Sequence, residues 1–250
     1  MNSIRIRQQI LGLATVICFF ICGAAHAAVH ETNFQYLPPT GLDSSAILAP
    51  PPILGSSEHI ADMAQVVAVH KACSSNDAEI AYSEKKFSIF TFAPAIGGFF
   101  SSNNLPQTTA FMSRVQEEAA TATDVAKNFW QRPRPYTIDT NLANGKLEKT
   151  FGYPSGHSTE GTVLALVLSE LVPDKAEGIT EIGREIGWHR VWIARHYPTD
   201  IYAGRTFARL IVLEMKKNGD FRKDLAGAKA EIEAARHGVP ATANLQPVGQ

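Results

Sequence analysis

The sequence is short of cysteine, of long apolar runs and of any excess of charge, and each shortage removes a class of explanation. Only three cysteines occur in 250 residues. Two of them, Cys18 and Cys22, fall in an N-terminal stretch that reads as a secretory signal: Arg5 and Arg7, an apolar run from Ile10 to Gly23, then Ala25-His26-Ala27, with cleavage expected after Ala27. Phe20-Ile21, rather than small residues, precede Cys22, which argues against a lipid-anchored cysteine. Export would leave Cys73 alone, so no internal disulfide can form and stability has to come from core packing. Cys73 itself reads as a small buried apolar residue at a helix end, not a nucleophile. Beyond the signal no stretch approaches the ~20 apolar residues needed to cross a bilayer, so the mature chain is expected to have no membrane span. The formal net charge is -1 with no long basic run, and composition points to no nucleic-acid partner. The histidines lack companion cysteines or carboxylates at zinc spacing. Period-two stretches are few and internal repeats absent, which leaves an all-α class.

What is present supports one sizeable core, with 45% hydrophobic and 19% charged residues. After the signal at 1–27, residues 28–56 are rich in proline (Pro38-Pro39, Pro50-Pro51-Pro52) and read as an extended arm lying on the domain. The domain proper is placed at 57–237, and 238–250 as a disordered tail. Ile60, Met63, Ala64 and Val67 predict the inward face of a first helix ending near Cys73, and a second helix is expected from about Asp77 to Lys86. The aromatic stretch 87–100 is interrupted by Pro94 and Gly97-Gly98 and reads as a buried, broken helix. The clearest amphipathic helix follows Pro106, with Met112, Val115, Ala119, Ala122, Ala126 and Phe129 as its stripe and Lys127 one residue off it. Pro133 and Pro135 stop it and hold Arg134 extended. Residues 136–150 read as a polar loop.

The stretch Phe151-Gly152-Tyr153-Pro154-Ser155-Gly156-His157-Ser158-Thr159 organises the rest, because it sets a small-residue turn and a histidine before a strongly apolar helix (Val163, Leu164, Leu166, Val167, Leu168, Leu171). Helix N-termini expose unused N–H groups and partial positive charge, which suits a phosphate. A further helix is expected from Asp174, with Glu177 completing an approximate capping box and Ile179, Ile182, Ile186 and Ile193 facing inward. Arg190 falls on that inward register, where a guanidinium demands a counter-charge. Pro198 separates this helix from two more, at about 199–217 and 221–236.

Lys127, six residues, Arg134-Pro135; Pro154-Ser155-Gly156-His157; and Arg190, five residues, His196, three residues, Asp200: this three-part pattern resembles the signature of the type 2 phosphatidic acid phosphatase superfamily. That superfamily includes bacterial class A non-specific acid phosphatases, membrane lipid phosphatases and vanadium haloperoxidases. The arm from Leu42-Asp43-Ser44 to Pro52 and the export signal are similar to the acid phosphatase branch. The resemblance implies a single helical bundle of that type and a metal-independent hydrolysis of phosphate monoesters. It makes His196 the nucleophile that becomes phosphohistidine, Asp200 the residue that orients it, and His157 the general acid and base. Lys127, Arg134, Ser155, Gly156 and Arg190 would bind the phosphate. Two features depart from the pattern. His189 stands where serine is common before Arg190, and is placed behind the substrate contacts. Ala194-Arg195-His196-Tyr197-Pro198 looks as much like the lipid phosphatases, so lipid phosphates or diphosphates remain an alternative substrate. Vanadate-dependent halide oxidation and non-catalytic anion binding are the further alternatives.

These readings lead to definite expectations: a periplasmic enzyme acting on small phosphomonoesters, no required cofactor, inhibition by vanadate or phosphate, and a fastest rate at mildly acidic pH. Apolar residues of the arm serve equally to cover the same chain or to join a second copy, so homo-oligomerisation stays open.

Overall fold

The structure, a computed structural model, describes residues 33–238; the expected signal at 1–27, the start of the arm and the expected tail from 239 onward lie outside the described residues. Among the described residues every regular element is helical, so the chain is all-α. The helices are α1 (Ser57–Ala72), α2 (Ser75–Ser83), α3 (Ala93–Ile96), α4 (Pro106–Trp130), α5 (Pro135–Ile138), α6 (Gly156–Leu171), α7 (Ala176–Trp192), α8 (Pro198–Met215) and α9 (Gly219–Arg236).

The apolar residues on nearly every side of α6 place it at the centre. Val163, Leu164, Leu168 and Leu171 have no solvent exposure, and α4, α7 and α8 pack around them. α9 closes over α4, while α1 and α2 lie on α7. The arm is held by carboxylates: Glu118 on α4 accepts the backbone N–H groups of Gln35, Tyr36 and Leu37 at 2.8–3.1 Å, and Asp224 on α9 accepts the Tyr36 hydroxyl at 2.7 Å. Further along, the Tyr153 hydroxyl donates to the Ala49 carbonyl at 2.6 Å, tying the arm to the segment that leads into α6.

α6 and α7 cross at a distance that only glycine allows. A Cβ on Gly183 would stand 2.7 Å from the Ala165 Cβ and 2.8 Å from the Gly161 carbonyl oxygen. Gly183→Ala is therefore expected to destabilise the fold by ~1–3 kcal/mol, the usual cost of overpacking, read as a lowered midpoint in denaturant unfolding. The same crossing fixes where the ends of both helices meet.

Several sequence expectations need correction. α1 turns His59, Asp62 and Val66 inward and leaves Ile60 61% exposed, because Asp62 has a buried arginine to meet and apolar spacing does not outweigh that pairing. Phe129 is 59% exposed, because the inward stripe of α4 continues from Ala126 to Trp130, which packs on Tyr153. The capping box at Asp174 does not form; Asp174 pairs instead with Arg236 at 3.0 Å, and α7 begins after a short 3-10 turn. Residues 136–150 contain the short helix α5 and a 3-10 turn at Thr140–Leu142, so the segment is more ordered than its composition indicates. α2 spans Ser75–Ser83, ending before Lys86. Cys73 is half-buried and donates to the Ser74 carbonyl, so it is not a core residue.

Candidate functional site

Four helix ends and one extended segment meet above the start of α6. Pro133 and Pro135 end α4 and hold Arg134 extended at φ -80 and ψ 156. Ser155 is the N-cap of α6, its Oγ accepting the Ser158 N–H at 3.4 Å, and its own N–H donates to the Asp200 carbonyl at 3.0 Å. That backbone bond joins the start of α6 to the start of α8. Pro198 is the first residue of α8, so Asp200 falls in its first turn, where a carboxylate suits the helix dipole.

The turn between Arg190 and His196 is a Schellman-type ending of α7. The Arg195 N–H returns to the Arg190 carbonyl at 2.8 Å, and the Ala194 N–H to that of Val191 at 3.0 Å. Ala194 takes φ 52, the left-handed conformation glycine usually supplies. A strained alanine here folds the chain back, so that Arg190 and His196 come to one place.

Hydrogen-bond chemistry fixes the tautomer of His196. Its Nδ1 lies 3.2 Å from Asp200 Oδ2, a carboxylate that only accepts, so Nδ1 carries the hydrogen. Its Nε2 lies 3.1 Å from Arg134 Nη1, a guanidinium that only donates, so Nε2 presents its lone pair. Burial, then the charges of Arg134, Lys127 and Arg190, hold this imidazole well below the usual histidine range. His196 is neutral and its lone pair faces cations.

The predicted cations stand around that nitrogen. Lys127, 5% exposed, donates to the Phe151 carbonyl at 3.0 Å, and burial followed by Arg134 pushes its pKa down to about 7. A Cβ on Gly156 would lie 3.9 Å from Lys127 Cε, which puts the amine beside the first turn of α6. Arg134 also donates from Nε to the Thr150 carbonyl at 2.7 Å. Arg190 donates to the Ala81 carbonyl and to Glu148 Oε1, both at 3.0 Å, while its Nε has no hydrogen-bond partner. The counter-charge that its inward register demanded is Glu148.

His157 donates from Nε2 to the Glu84 carbonyl at 3.2 Å, and burial followed by Arg190 pushes its pKa down to about 3. The neighbouring His189 does not join the cations; its Nδ1 meets Glu84 Oε2 at 2.8 Å and its ring stacks on Trp192. Glu84 thus links the two histidines, with its main chain on one and its carboxylate on the other.

Sequence reasoning missed Arg132 and Asp62. Arg132 is 4% exposed and bridges Asp200 Oδ1 at 2.5 Å to Asp62 Oδ2 at 2.7 Å, with its guanidinium 3.9 Å from the Tyr197 ring centroid. Asp200 accepts from the Tyr197 N–H as well, at 3.0 Å, and burial still raises it to about 6 against the pull of Arg132. The available signal was Arg132-Pro133-Arg134-Pro135, two equivalent Arg-Pro pairs of which the spacing picked one. Glu160, one turn into α6, was missed too; burial lifts it to about 7, beside Gln116 at 3.0 Å. Among the described residues no three histidine, cysteine or carboxylate side chains stand close enough to hold a metal.

Comparison with known proteins identifies the family. The PAP2 superfamily profile matches residues 115–222, which run from within α4 to the first turn of α9. The chain is 30% identical over 203 residues to an acid phosphatase of Zymomonas mobilis, covering 78% of this chain and 77% of that one. It is 31% identical over 202 residues to a non-specific acid phosphatase of Providencia stuartii, covering 76% and 81%. Among solved structures, a bacterial vanadium-dependent iodoperoxidase aligns with a TM-score of 0.50 at 18% identity, over 68% of this chain and 52% of that one, a likeness of fold.

Proposed function

The chain belongs to the PAP2 superfamily and is a phosphatase of that kind, and from there we propose that it is an exported acid phosphatase hydrolysing small phosphate monoesters through a phosphohistidine at His196. The observation that carries the proposal is the His196 Nε2 lone pair, fixed by Asp200 and turned toward Lys127, Arg134 and Arg190.

In this reading the phosphoryl group lies against the three cations, the Ser155 hydroxyl and the Gly156 N–H. Those groups neutralise its equatorial oxygens in a transition state that is mostly positioned and charge-stabilised. The Arg134 N–H contact passes from Nε2 to a phosphate oxygen. Nε2 then forms the N–P bond as the P–O bond to the leaving group breaks, and that oxygen takes a proton from His157. Water next attacks phosphorus while His157 accepts its proton, the P–N bond breaks, and the pair returns to Nε2. His157 is held neutral in the free enzyme by burial and then by its cationic neighbours. An arriving phosphate dianion reverses that local field and lets His157 hold the proton it must give.

No metal enters this scheme, and vanadate, which mimics the transition state, is expected to inhibit. Export rests on the signal-like residues 1–27 and places the enzyme in the periplasm.

The direct test is release of nitrophenol from p-nitrophenyl phosphate by the purified protein, with and without chelator and with vanadate. Turnover that is chelator-resistant and vanadate-sensitive is expected. The pH dependence of kcat/KM has a sign fixed by two groups of the free enzyme. Below about 6 Asp200 gains a proton and releases His196, and above about 7 Lys127 loses its charge, so the rate should peak at mildly acidic pH. An alkaline, metal-dependent optimum would sink the reading. Turnover of a diacylglycerol phosphate in micelles without turnover of the nitrophenyl ester would move the substrate to lipids.

A further inference from the structure

The loop between α5 and α6 gave no readable code in the sequence, yet three buried arginines pin it over the site. Arg134 holds Thr150 through its carbonyl and its Oγ1, at 2.7 and 3.1 Å. Arg190 holds Glu148 Oε1, and Arg195, 1% exposed, takes Glu148 Oε2 at 3.0 Å as well as the carbonyl of Asn144. Arginine forks anchored in the core leave this loop little freedom. Its lysines, Lys146 and Lys149, are therefore presented at a set place on the surface.

Between this loop and the end of α2 lies a cavity of about 480 Å³. Lys85, Lys146 and Lys149 line it together with Arg190 and Arg195, and Glu148 is the one carboxylate on its wall. Glu148 is ion-paired to both arginines, its Oε1 accepting from Arg190 and its Oε2 lying 3.0 Å from Arg195 Nε without a hydrogen bond, so its charge is shared with them before it meets the exposed lysines. Arg190 belongs to this wall and to the phosphate site alike, and its Nε has no hydrogen-bond partner although the residue is 2% exposed. Lys85 follows Glu84, whose carbonyl holds His157, the group assigned to the leaving oxygen. The cavity thus shares Arg190 with the phosphate site and, through Lys85, adjoins the backbone that holds His157. A cleft lined by one sign of charge concentrates counter-ions of the other sign, and flexible lysines bind phosphate as point charges.

We propose that this cavity seats a second phosphate of the substrate, so that small esters carrying two phosphate groups are preferred over those carrying one. The proposal rests on the phosphatase reading above and adds the substrate class. Exposed lysine contacts are each weak, and three together make a preference of about tenfold.

The test compares adenosine 3′,5′-bisphosphate with adenosine 5′-monophosphate, following phosphate release by the full chain and by a Lys85→Ala/Lys146→Ala/Lys149→Ala variant. The wild type should favour the bisphosphate about tenfold in kcat/KM, and the variant should lose that preference while changing less than about twofold on the monophosphate. Raising the salt should erode the wild-type preference in the same way, because the contacts are exposed. A preference unchanged in the variant, or an equal fall on both substrates, overturns the proposal. Calorimetric binding of pyrophosphate against phosphate gives a second readout independent of turnover. Tighter pyrophosphate binding that disappears in the variant supports the second subsite even if neither ester is hydrolysed, and equal binding refutes it.

Discussion

His196→Ala is expected to lower kcat on p-nitrophenyl phosphate by on the order of 10⁴-fold, with inorganic phosphate still bound. The expectation follows from the division of labour in the site. In the proposed mechanism Lys127, Arg134, Arg190 and the start of α6 hold the oxyanion by charge and N–H donors, and none of them depends on the imidazole for its place. Arg134 keeps its bonds to Thr150 and to the Arg195 carbonyl. The imidazole alone supplies a lone pair that can form the P–N bond. Removing it should leave a competent anion site without a nucleophile, and the two properties can be measured on the same sample. Phosphate binding by calorimetry and kcat by nitrophenol release should therefore separate. Activity near that of the wild type would refute the nucleophile assignment. Loss of both binding and activity would show instead that the ring is a structural member of the cation cluster.

Arg132→Met should cost about 3–5 kcal/mol of stability, because it leaves Asp62 and Asp200 buried without their shared cation. Neither carboxylate has solvent to retreat to; their side chains are 3% and 0% exposed. The Thr199 hydroxyl and N–H remain on Asp62, and the Tyr197 N–H remains on Asp200, but these neutral donors cannot replace a guanidinium. The pH dependence of the loss has a definite sign. Asp200 already has a folded-state pKa raised to about 6, and removing Arg132 lifts it further. A carboxylate whose folded pKa lies above its unfolded one costs nothing while protonated in both states, and costs progressively more as pH rises toward the folded value. The gap between variant and wild type should accordingly be wider at pH 8 than at pH 5 in denaturant unfolding. A gap independent of pH would mean that the variant fails by lost packing on Tyr197 instead of by stranded charge. Activity should fall too, since Asp200 loses the anchor on the oxygen opposite His196.

Lys127 shows why the site is made of such groups. An amine pushed down to about 7 is a poor contributor to stability at acid pH, where its charge is buried without a carboxylate in contact. In the proposed function that cost is offset when an anion binds, which is the usual relation between a destabilised site and its ligand.

Much of the site was legible because its residues sit where the chain announces a helix end. Pro133 and Pro135 mark the stop that presents Arg134, Pro154 and Ser155 mark the start that presents Gly156 and His157, and Pro198 marks the start that presents Asp200. Such signals act on φ, on missing N–H groups and on capping, all of them local, so they survive in a bare sequence. The all-α class was legible for the same reason, as was the central place of α6, whose residues are apolar in nearly every direction.

What the local signals do not carry is which of two similar groups meets which partner. Arg132 and Arg134 both precede a proline, yet one is clamped between Asp62 and Asp200 while the other reaches His196. The choice depends on α1, some seventy residues earlier in the chain, bringing Asp62 inward. The same pairing turned Ile60 outward against the apolar pattern, since a buried charge without its partner costs more than an exposed side chain gains. The 136–150 loop escaped reading because much of its order comes from Arg134, Arg190 and Arg195 beneath it, added to its own short helix and turn. Helix boundaries and the spacing of the chemical groups were thus set by short-range steric and capping preferences written in the sequence. The pairing of buried charges was decided only in the tertiary structure, where strong long-range partners compete for one another in a medium that will not solvate the loser.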